Sequence, residues 1–305
     1  MLKKTKPICR GPCGSHEIYC CGSRVKINEN GVTVLSAPVV THCPLHESLY
    51  GTTKIDANAV KRSVEKKIER FGFCCKNREF GFDSIVAYGA SEMISVWLDE
   101  GLIDCAVVVC DGAGTVITRN GKLVQGIGAQ LTGVIKTSPI REVIEYIEGN
   151  GGTVLNKVDA RIDQLAGVKH AFAIGANRVA VSIASFQAKA ISDIRRLEKA
   201  QGKEAVVFSV CNTLAKKADV KYISKADIAC ASASTVLRNE VGNKALLQVG
   251  LTIPVYALTA RGKELILDYL AVFKDKLVVF RTRRLPYEVQ NKGPETKDTT
   301  NKKKS

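Results

Sequence analysis

The chain has 305 residues, of which 45% are hydrophobic and 25% are charged, the balance of a globular protein with enough apolar side chains for a core. This composition excludes a chain that is disordered throughout, and no run of residues approaches the roughly 18 consecutive apolar positions of a membrane helix. The net charge of +15 is concentrated at the ends, since residues 1–10 hold four basic side chains and residues 281–305 hold eight basic and three acidic ones.

The basic ends predict solvated tails rather than a specific nucleic-acid site. Lysine-rich tails attract phosphate backbones without sequence preference, and no zinc finger, helix-turn-helix or aromatic RNA-binding motif accompanies them. The first residues carry positive charge with no apolar segment behind them, which is not the pattern of a secretory signal. We therefore expect a cytoplasmic protein with no membrane partner and no specific nucleic-acid partner.

Eleven cysteines are present, and two adjacent pairs occur among them. The odd number and the absence of a secretory pattern argue against a disulfide framework. Reduced thiols fit better, and some of them are candidates for metal or cluster ligands.

The first elements in chain order are a hairpin and a helix. Residues 24–36 alternate apolar and polar side chains around an Asn-Gly pair, which predicts a β-hairpin. Residues 56–71 predict an amphipathic helix that Asp56 caps and Gly72 ends.

Two strands and a helix are expected next, followed by a glycine-rich segment over 111–133. SIVAYGA (84–90) predicts a short strand that leads into a helix capped by Ser91 and ended by Gly101. The continuous apolar run 103–110 predicts a strand buried on both faces.

The rest of the chain alternates helices and strands. Ser138 is expected to cap a helix that begins at Pro139. Further helices are expected at 159–174, 186–201, 243–249 and 261–273, and strands at 178–184, 204–210, 227–232 and 253–259.

This succession predicts an α/β fold, with mostly parallel sheets, helices on both faces and an N-terminal β-hairpin. The expected regions are a Cys-rich segment with the hairpin (1–50), a first α/β lobe (51–175), a second α/β lobe (176–286) and a disordered basic tail (287–305). Two alternatives are open for the lobes: two separate three-layer units, or one continuous sheet.

A candidate ligand loop, CDGAGT (110–115), follows the most apolar strand. Ligands in open α/β sheets gather beyond the carboxyl ends of the strands, and glycines at positive φ let a backbone approach a ligand closely. The loop is expected to border the main crevice and to bind a phosphate or carboxylate. The alternative is a tight β-turn whose aspartate caps its own backbone. The candidate ligand-binding residues are Gly112, Gly114, Thr115 and Gln125, with Thr137 as an alternative polar lining.

Three residues near this loop are candidates for catalysis. Cys110 is a potential nucleophile, and Asp111 is placed to bind a cation or a substrate proton. Glu92 lies at the first turn of a predicted helix, where it either acts as an acid–base group or only complements the helix dipole.

Two groups of cysteines are candidates for metal binding. Cys43, Cys74 and Cys110 lie at loop or element ends, so their sulfurs are expected within about 7 Å of one another if they share an Fe–S cluster or a zinc ion. The second group has workable ligand spacings, although idle thiols on a flexible leader explain it equally; it consists of Cys9, Cys13, His16, Cys20 and Cys21. Cys20 and Cys21 are adjacent, so an extended chain would point them to opposite faces.

An ordered series of motifs resembles the methanogenesis marker protein 8 family from about residue 16 to residue 287. The motifs are HCPLHESLYG, RFGFC, YGASEM, GLIDCAVVVCDGAGTVIT, LVQGIGAQLTGVIKTSPIREVI, IDQLAGVKHA, RVAVSIA and ALLQVGLTIPVYALT. The resemblance implies a protein of methane-producing archaea in a family without an assigned activity. The family's motif residues match Cys43, Cys74, Glu92, Cys110, Asp111, Gly112 and Gly114 of this chain, whereas Cys9 and Cys13 precede the matched region.

Three functions are therefore open. The first is a protein that binds a metal or Fe–S cluster and supports the maturation or redox chemistry of methanogenesis, with methanogenesis enzymes or their maturation factors as partners. The second is a small-molecule transferase or cofactor-biosynthetic enzyme with an anionic ligand at the CDGAGT loop. The third is a noncatalytic assembly factor whose basic tails bind an acidic partner.

Overall fold

The computed structural model describes residues 11–81, 86–129, 133–289 and 293–297. Its strands are β1 (Ser15–Cys20), β2 (Ser23–Asn28), β3 (Gly31–Val34), β4 (Val40–His42), β5 (Cys105–Cys110), β6 (Gly114–Thr118), β7 (Gly133–Lys136), β8 (Gly152–Val154), β9 (Arg178–Ala184), β10 (Glu204–Val210), β11 (Ile228–Cys230), β12 (Leu247–Val249), β13 (Val255–Ala257) and β14 (Glu295–Thr296). Its α-helices are α1 (Pro44–Tyr50), α2 (Ala57–Phe71), α3 (Ala90–Asp99), α4 (Gly121–Gly128), α5 (Arg141–Gly149), α6 (Gln164–Ala173), α7 (Lys189–Gln201), α8 (Lys217–Ile223), α9 (Thr235–Glu240) and α10 (Ala260–Ala271).

One eight-stranded sheet forms the centre of the fold, in the order β12-β13-β11-β10-β9-β5-β6-β8. Its middle strands β11, β10, β9 and β5 run parallel, and the strands at its two edges pair antiparallel. The pairing of β5 with β9 carries this sheet across the boundary expected near residue 176. Of the two alternatives for the lobes, the structure has the continuous sheet.

Side chains of the central strands alternate between two packing clusters. On β5, Ala106 and Val108 pack in a cluster that includes Trp97 of α3. Cys105 and Val107 pack in another, which includes residues of α6 and α7. Because both faces of β5 are buried, residues 103–110 form a continuous apolar run.

A separate antiparallel sheet has the order β3-β2-β1-β7. The predicted hairpin is confirmed as β2 and β3, although the two residues between the paired strand ends are Glu29 and Asn30 rather than the Asn-Gly pair. Strand β7 begins at Gly133, the last residue of the predicted glycine-rich segment, and pairs with β1. The same segment also contains β6 and α4.

Helix α2 forms as expected. The carboxylate of Asp56 accepts a hydrogen bond from the Ala59 N–H at 2.7 Å, and Gly72 ends the helix with φ of 62°. Asp163 likewise caps α6, so this helix is shorter than the predicted 159–174.

Three predicted helix or strand assignments are wrong. Gly89, not Ser91, precedes the first residue of α3, and the Ser91 hydroxyl donates to Glu92 instead. The predicted strand 84–90 lies partly outside the described residues, and its described part, 86–89, is not a strand. Residues 247–249 form strand β12 rather than helix.

The Ser138 cap is also wrong. Helix α5 begins at Arg141, and the Ser138 hydroxyl donates to the backbone oxygen of Ser15 at 2.9 Å. Ser138 thus joins the start of β1 to the chain before α5.

At the C-terminal end, β14 pairs with β4. This short strand lies within the predicted disordered tail, the remainder of which is partly outside the described residues. Within the described ranges, no helix combines the length and hydropathy that crossing a membrane requires.

Candidate functional site

The CDGAGT segment is the turn of a tight hairpin between β5 and β6, in which Cys110 is paired with Gly114. Gly112 and Gly114 have φ of 80° and 72°, so both have the positive values expected from the sequence. The turn itself is buried, and a Cβ atom on Gly114 would lie 2.1 Å from the backbone oxygen of Ala160. These glycines are required by chain reversal and by close packing against another segment.

The polar groups of this turn are hydrogen-bonded within the protein. The Asp111 carboxylate accepts from the Arg78 Nε–H at 3.1 Å and from the Cys74 backbone N–H at 2.6 Å. The Gly112 N–H donates to Thr137 Oγ1 at 2.7 Å, and Thr137 Oγ1 is 2.6 Å from Nδ1 of His16. The turn thus has the internal bonding of the alternative interpretation, a structural turn, and its use as an anion site stays a prediction.

Thr115 and Gln125 are bonded elsewhere. The Thr115 hydroxyl donates to Gln164 Oε1 at 2.8 Å. Gln125 donates from Nε2 to the Glu92 carboxylate at 3.3 Å. Gln125 is connected to the cavity described below through Glu92, and Thr115 through Gln164, which donates to the backbone oxygen of Ser182 at 2.8 Å.

Cys74 and Cys110 both adjoin Asp111. Burial raises the pKa of both thiols well above the ordinary value, and the Asp111 charge raises it further. The Cys110 thiol also donates to the backbone oxygen of Asp111 at 3.2 Å. Both thiols are thus held protonated, which disfavours Cys110 as a nucleophile.

Cys43 occupies a different setting, directly before α1 and in the wall of the cavity described below. Across the described ranges, no three Cys, His, Asp or Glu side chains are grouped as a metal ion would require. The three-cysteine centre of Cys43, Cys74 and Cys110 remains a prediction to which the described part of the chain adds no support.

Among the N-terminal Cys and His residues that the structure describes, no metal-binding group is formed either. His16 is buried, with Nε2 2.7 Å from the Cys13 backbone oxygen and Nδ1 against Thr137. Cys20 and Cys21 contact each other, and Cys9 lies outside the described residues. Both ring nitrogens of His16 are therefore already engaged.

A cavity of about 710 Å³, here called the strand-end cavity, lies among the described residues. Its wall includes Val109 of β5, Ser182 of β9, Val210 of β10 and Cys230 of β11. These residues lie at or near the carboxyl ends of the four parallel strands, which is where open α/β sheets bind their ligands. The described wall does not include the turn residues 111–115.

Four cysteines line the strand-end cavity: Cys21, Cys43, Cys211 and Cys230. Burial raises the pKa of Cys211 to about 12 and also raises the pKa of Cys230. These two thiols are therefore protonated at neutral pH.

The start of α3 forms another part of the wall, and it brings Glu92 to the cavity. The Glu92 carboxylate accepts hydrogen bonds from the Ser91 hydroxyl at 2.8 Å and from the Val86 N–H at 3.2 Å. A carboxylate thus already occupies the positive end of the α3 dipole.

Backbone strain is concentrated at this cavity. Cys21, Cys211 and Ser232 have φ of 52°, 52° and 51°, and all three line the wall. A left-handed conformation costs a non-glycine residue about 1–2 kcal/mol, and such costs persist mainly at functional sites.

Cys21 also takes part in a charged cluster with Cys20 and Lys67. A hydrogen bond from the Cys21 thiol, aided by the Lys67 ammonium, lowers the pKa of Cys20 to about 6, while the same bond raises the pKa of Cys21. Burial lowers the pKa of Lys67, and the thiolates of Cys20 and Cys21 oppose that shift. In this cluster a thiolate is therefore favoured at Cys20 and disfavoured at Cys21.

Cys43 and Glu92 were candidate site residues from the sequence, whereas Ser182, Cys211, Cys230 and Ser232 were not expected at the cavity. The available signal was the position of each at or just after a predicted parallel strand. Ligands were expected only beyond the carboxyl end of the strand 103–110. The same rule applies to the ends of all four parallel strands.

Comparison with known proteins places the chain beside archaeal proteins. The family described as "Uncharacterized protein conserved in archaea (DUF2099)" matches residues 16–271. The chain is 37% identical over 256 residues to "Uncharacterized protein MJ0054" of Methanocaldococcus jannaschii, an alignment that covers 83% of this chain and 89% of that protein.

Proposed function

The chain belongs to the archaeal family DUF2099, and we propose that its function is to bind a small organic molecule in the strand-end cavity. The observation that carries this proposal is the position of a cavity of about 710 Å³ at the carboxyl ends of all four parallel strands. Drug-sized ligands occupy cavities of this volume.

The wall indicates an uncharged, largely apolar ligand. Most of the lining side chains are apolar, and the described wall contains no lysine or arginine. Glu92 stands at the start of α3, where a ligand anion would otherwise be favoured. The wall also contains residues with hydroxyl groups, among them Ser182, Thr213 and Ser232.

A fluorescence titration with the neutral probe N-phenyl-1-naphthylamine tests the proposal. We expect saturable binding of one probe per chain and weaker binding of the anionic probe 8-anilinonaphthalene-1-sulfonate. Val210→Trp, which places an indole in the wall, should weaken binding of the neutral probe at least tenfold.

Val158→Trp is the matched control, because Val158 is 89% exposed and is not in the described wall. Equal affinities of the two variants would contradict the proposal. Tighter binding of the anionic probe would contradict the uncharged class of ligand.

A role in methanogenesis is a second proposal, and the sequence resemblance together with the archaeal family supports it. In that proposal the protein acts in the cytoplasm in maturation or redox support, with a metal or Fe–S cluster bound by cysteines. Anaerobic purification followed by iron, sulfide and zinc analysis tests it, and a protein without any of the three would contradict it.

A further inference from the structure

We infer that Cys20 and Cys21 form a redox-active dithiol that reduces a low-molecular-weight disulfide in the strand-end cavity and is itself converted to a disulfide between the two neighbouring residues. The inference deepens the proposed function by naming a substrate class, and it rests on that function for the place where the substrate binds.

The turn after β1 brings the two sulfurs together. In an extended strand, neighbouring side chains point to opposite faces. Cys20 is the last residue of β1, and Cys21 follows in the left-handed conformation, with φ of 52°. Its backbone oxygen accepts hydrogen bonds from the Val39 and Val40 N–H groups at 3.1 and 3.2 Å, which fixes the turn. The expectation that the two cysteines face apart holds for an extended chain, and Cys21 is not extended.

The two sulfurs have different surroundings. Cys21 lines the strand-end cavity, where a substrate can reach it. Cys20 is buried behind it, with Sγ 3.8 Å from the Ser63 hydroxyl of α2. This arrangement makes Cys21 the attacking residue and Cys20 the resolving one.

Lys67 supplies the charge that such a pair requires. It is a buried residue of α2, and its positive charge favours a thiolate at Cys20 and Cys21. Thiols beside a lysine lose their proton near neutral pH, and the thiolate is the reactive form. The hydrogen bond between the two sulfurs allows the remaining proton to move from Cys21 to Cys20 as Cys21 attacks.

The reaction balances in three steps. The Cys21 sulfur attacks one sulfur of R–S–S–R′, its proton passes to the Cys20 thiolate, the S–S bond breaks, and R′–S⁻ leaves. R′–S⁻ then takes the proton from Cys20. The Cys20 thiolate attacks the Cys21 sulfur of the mixed disulfide and expels R–S⁻. Two electrons pass from the protein to the substrate, which leaves as two thiols.

A disulfide between adjacent residues is easily reduced again. The Cα atoms of neighbours across a trans peptide are about 3.8 Å apart, which is less than the usual separation of about 4.4–6.8 Å in disulfides. The resulting strain favours the dithiol. The pair therefore suits a catalytic cycle rather than a permanent cross-link.

The test uses the full chain, reduced and freed of reductant under anaerobic conditions, with bis(2-hydroxyethyl) disulfide as the probe. After an acid quench, N-ethylmaleimide labels free thiols and peptide mapping locates them. We expect the wild type to lose two hydrogens, to release two 2-mercaptoethanol molecules and to leave Cys20 and Cys21 unlabelled. Labelling of both after treatment, or first reaction at Cys43, Cys211 or Cys230, would overturn the inference.

Single variants separate the two roles. Cys20→Ser should stop with one half of the probe on Cys21, and Cys21→Ser should react at least tenfold more slowly. Cys105→Ser, in a buried cysteine outside the described wall, should behave as wild type. Accumulation of the probe on Cys20 rather than Cys21 would overturn the assigned roles. The wild-type peptide map shows whether Cys20 and Cys21 form a disulfide even if a variant does not fold.

Val210→Trp distinguishes failure of this inference from failure of the proposed function. If the wild type binds the naphthylamine probe but its two cysteines are not oxidised, the dithiol is wrong and the cavity proposal stands. If Val210→Trp forms the disulfide at the wild-type rate, the substrate does not reach Cys21 through the strand-end cavity. The dithiol inference would then hold without the cavity proposal.

Discussion

Arg78 and Asp111 form an ion pair whose side chains are 1% and 0% exposed, with the Arg78 Nε atom 3.1 Å from Asp111 Oδ1. Arg78 also donates to the backbone oxygens of Gly126 and Ile127 at 3.3 and 3.2 Å. The pair thereby joins the β5–β6 turn to the end of α4. A buried charge is tolerated only when it is paired and hydrogen-bonded, as both of these are.

Asp111→Asn should destabilise the protein by about 3–5 kcal/mol, because it leaves the Arg78 charge buried without its partner. Urea unfolding followed by circular dichroism measures this change. Glu145→Gln, which removes a partner from the exposed pair with Arg141, should cost less than about 0.5 kcal/mol. Similar costs for the two variants would contradict the structural role of Asp111.

Gly114→Ala should destabilise the protein far more than Gly151→Ala, although both glycines have positive φ, at 72° and 79°. A Cβ on Gly114 meets the Ala160 backbone oxygen at 2.1 Å, whereas one on Gly151 meets nothing within 4 Å. We expect about 1 kcal/mol for Gly151→Ala from conformation alone, and more than about 3 kcal/mol for Gly114→Ala. Equal unfolding midpoints of the two variants would show that the turn can shift away from the Ala160 backbone and would contradict the prediction.

Stability should fall as the pH drops below about 6.5, in part because of His16. Burial lowers the pKa of His16 below 6.5, so the unfolded chain takes up a proton more readily than the folded one. The loss begins as the pH falls through the unfolded value of about 6.5 and stops growing below the lowered folded value.

Unfolding free energies at pH 7 and pH 5 measure this contribution, and His16→Asn should show a smaller difference between them than wild type. Burial also lowers the pKa of His46, so part of the pH dependence should remain in the variant. An unchanged difference in His16→Asn would contradict the contribution of His16.

Lys67→Met should slow alkylation of Cys20 by iodoacetamide at pH 7 by about three- to tenfold, because loss of the ammonium raises the pKa of the thiol. In the wild type, the rate should rise with pH through about 6 rather than 9. Peptide mapping over time gives the rate at each cysteine. Lys61→Met, on the exposed side of α2, is the control and should leave the rate unchanged.

Several strands and most helices were predictable because their signals are local. CAVVVC is apolar at every position and is confirmed as β5. Asp56 and Gly72 mark the ends of α2. The turn at 111–114 was ambiguous because a ligand loop and a tight hairpin both require glycine. What distinguishes them is the antiparallel pairing of the next five residues with β5.

Contacts between residues that are far apart in the chain were less predictable, because no local pattern indicates them. Arg78 and Asp111 meet through tertiary packing that no spacing rule predicts. Cys20 and Cys21 were expected to face apart only if the chain is extended, and Cys21 has a left-handed conformation that no local signal indicates. Sequence patterns usually give that conformation to glycine.

The pairing of β14 with β4 also determines when the site can be assembled during synthesis. Thr41 donates from its hydroxyl to the Glu295 backbone oxygen, 254 positions further along the chain, and Pro294 beside it lines the strand-end cavity. Closing so long a loop carries a large entropic cost, so this contact follows the local ones. A ribosome-bound chain that has not yet extruded residue 294 lacks that part of the wall, so the wall is completed only after this residue has emerged.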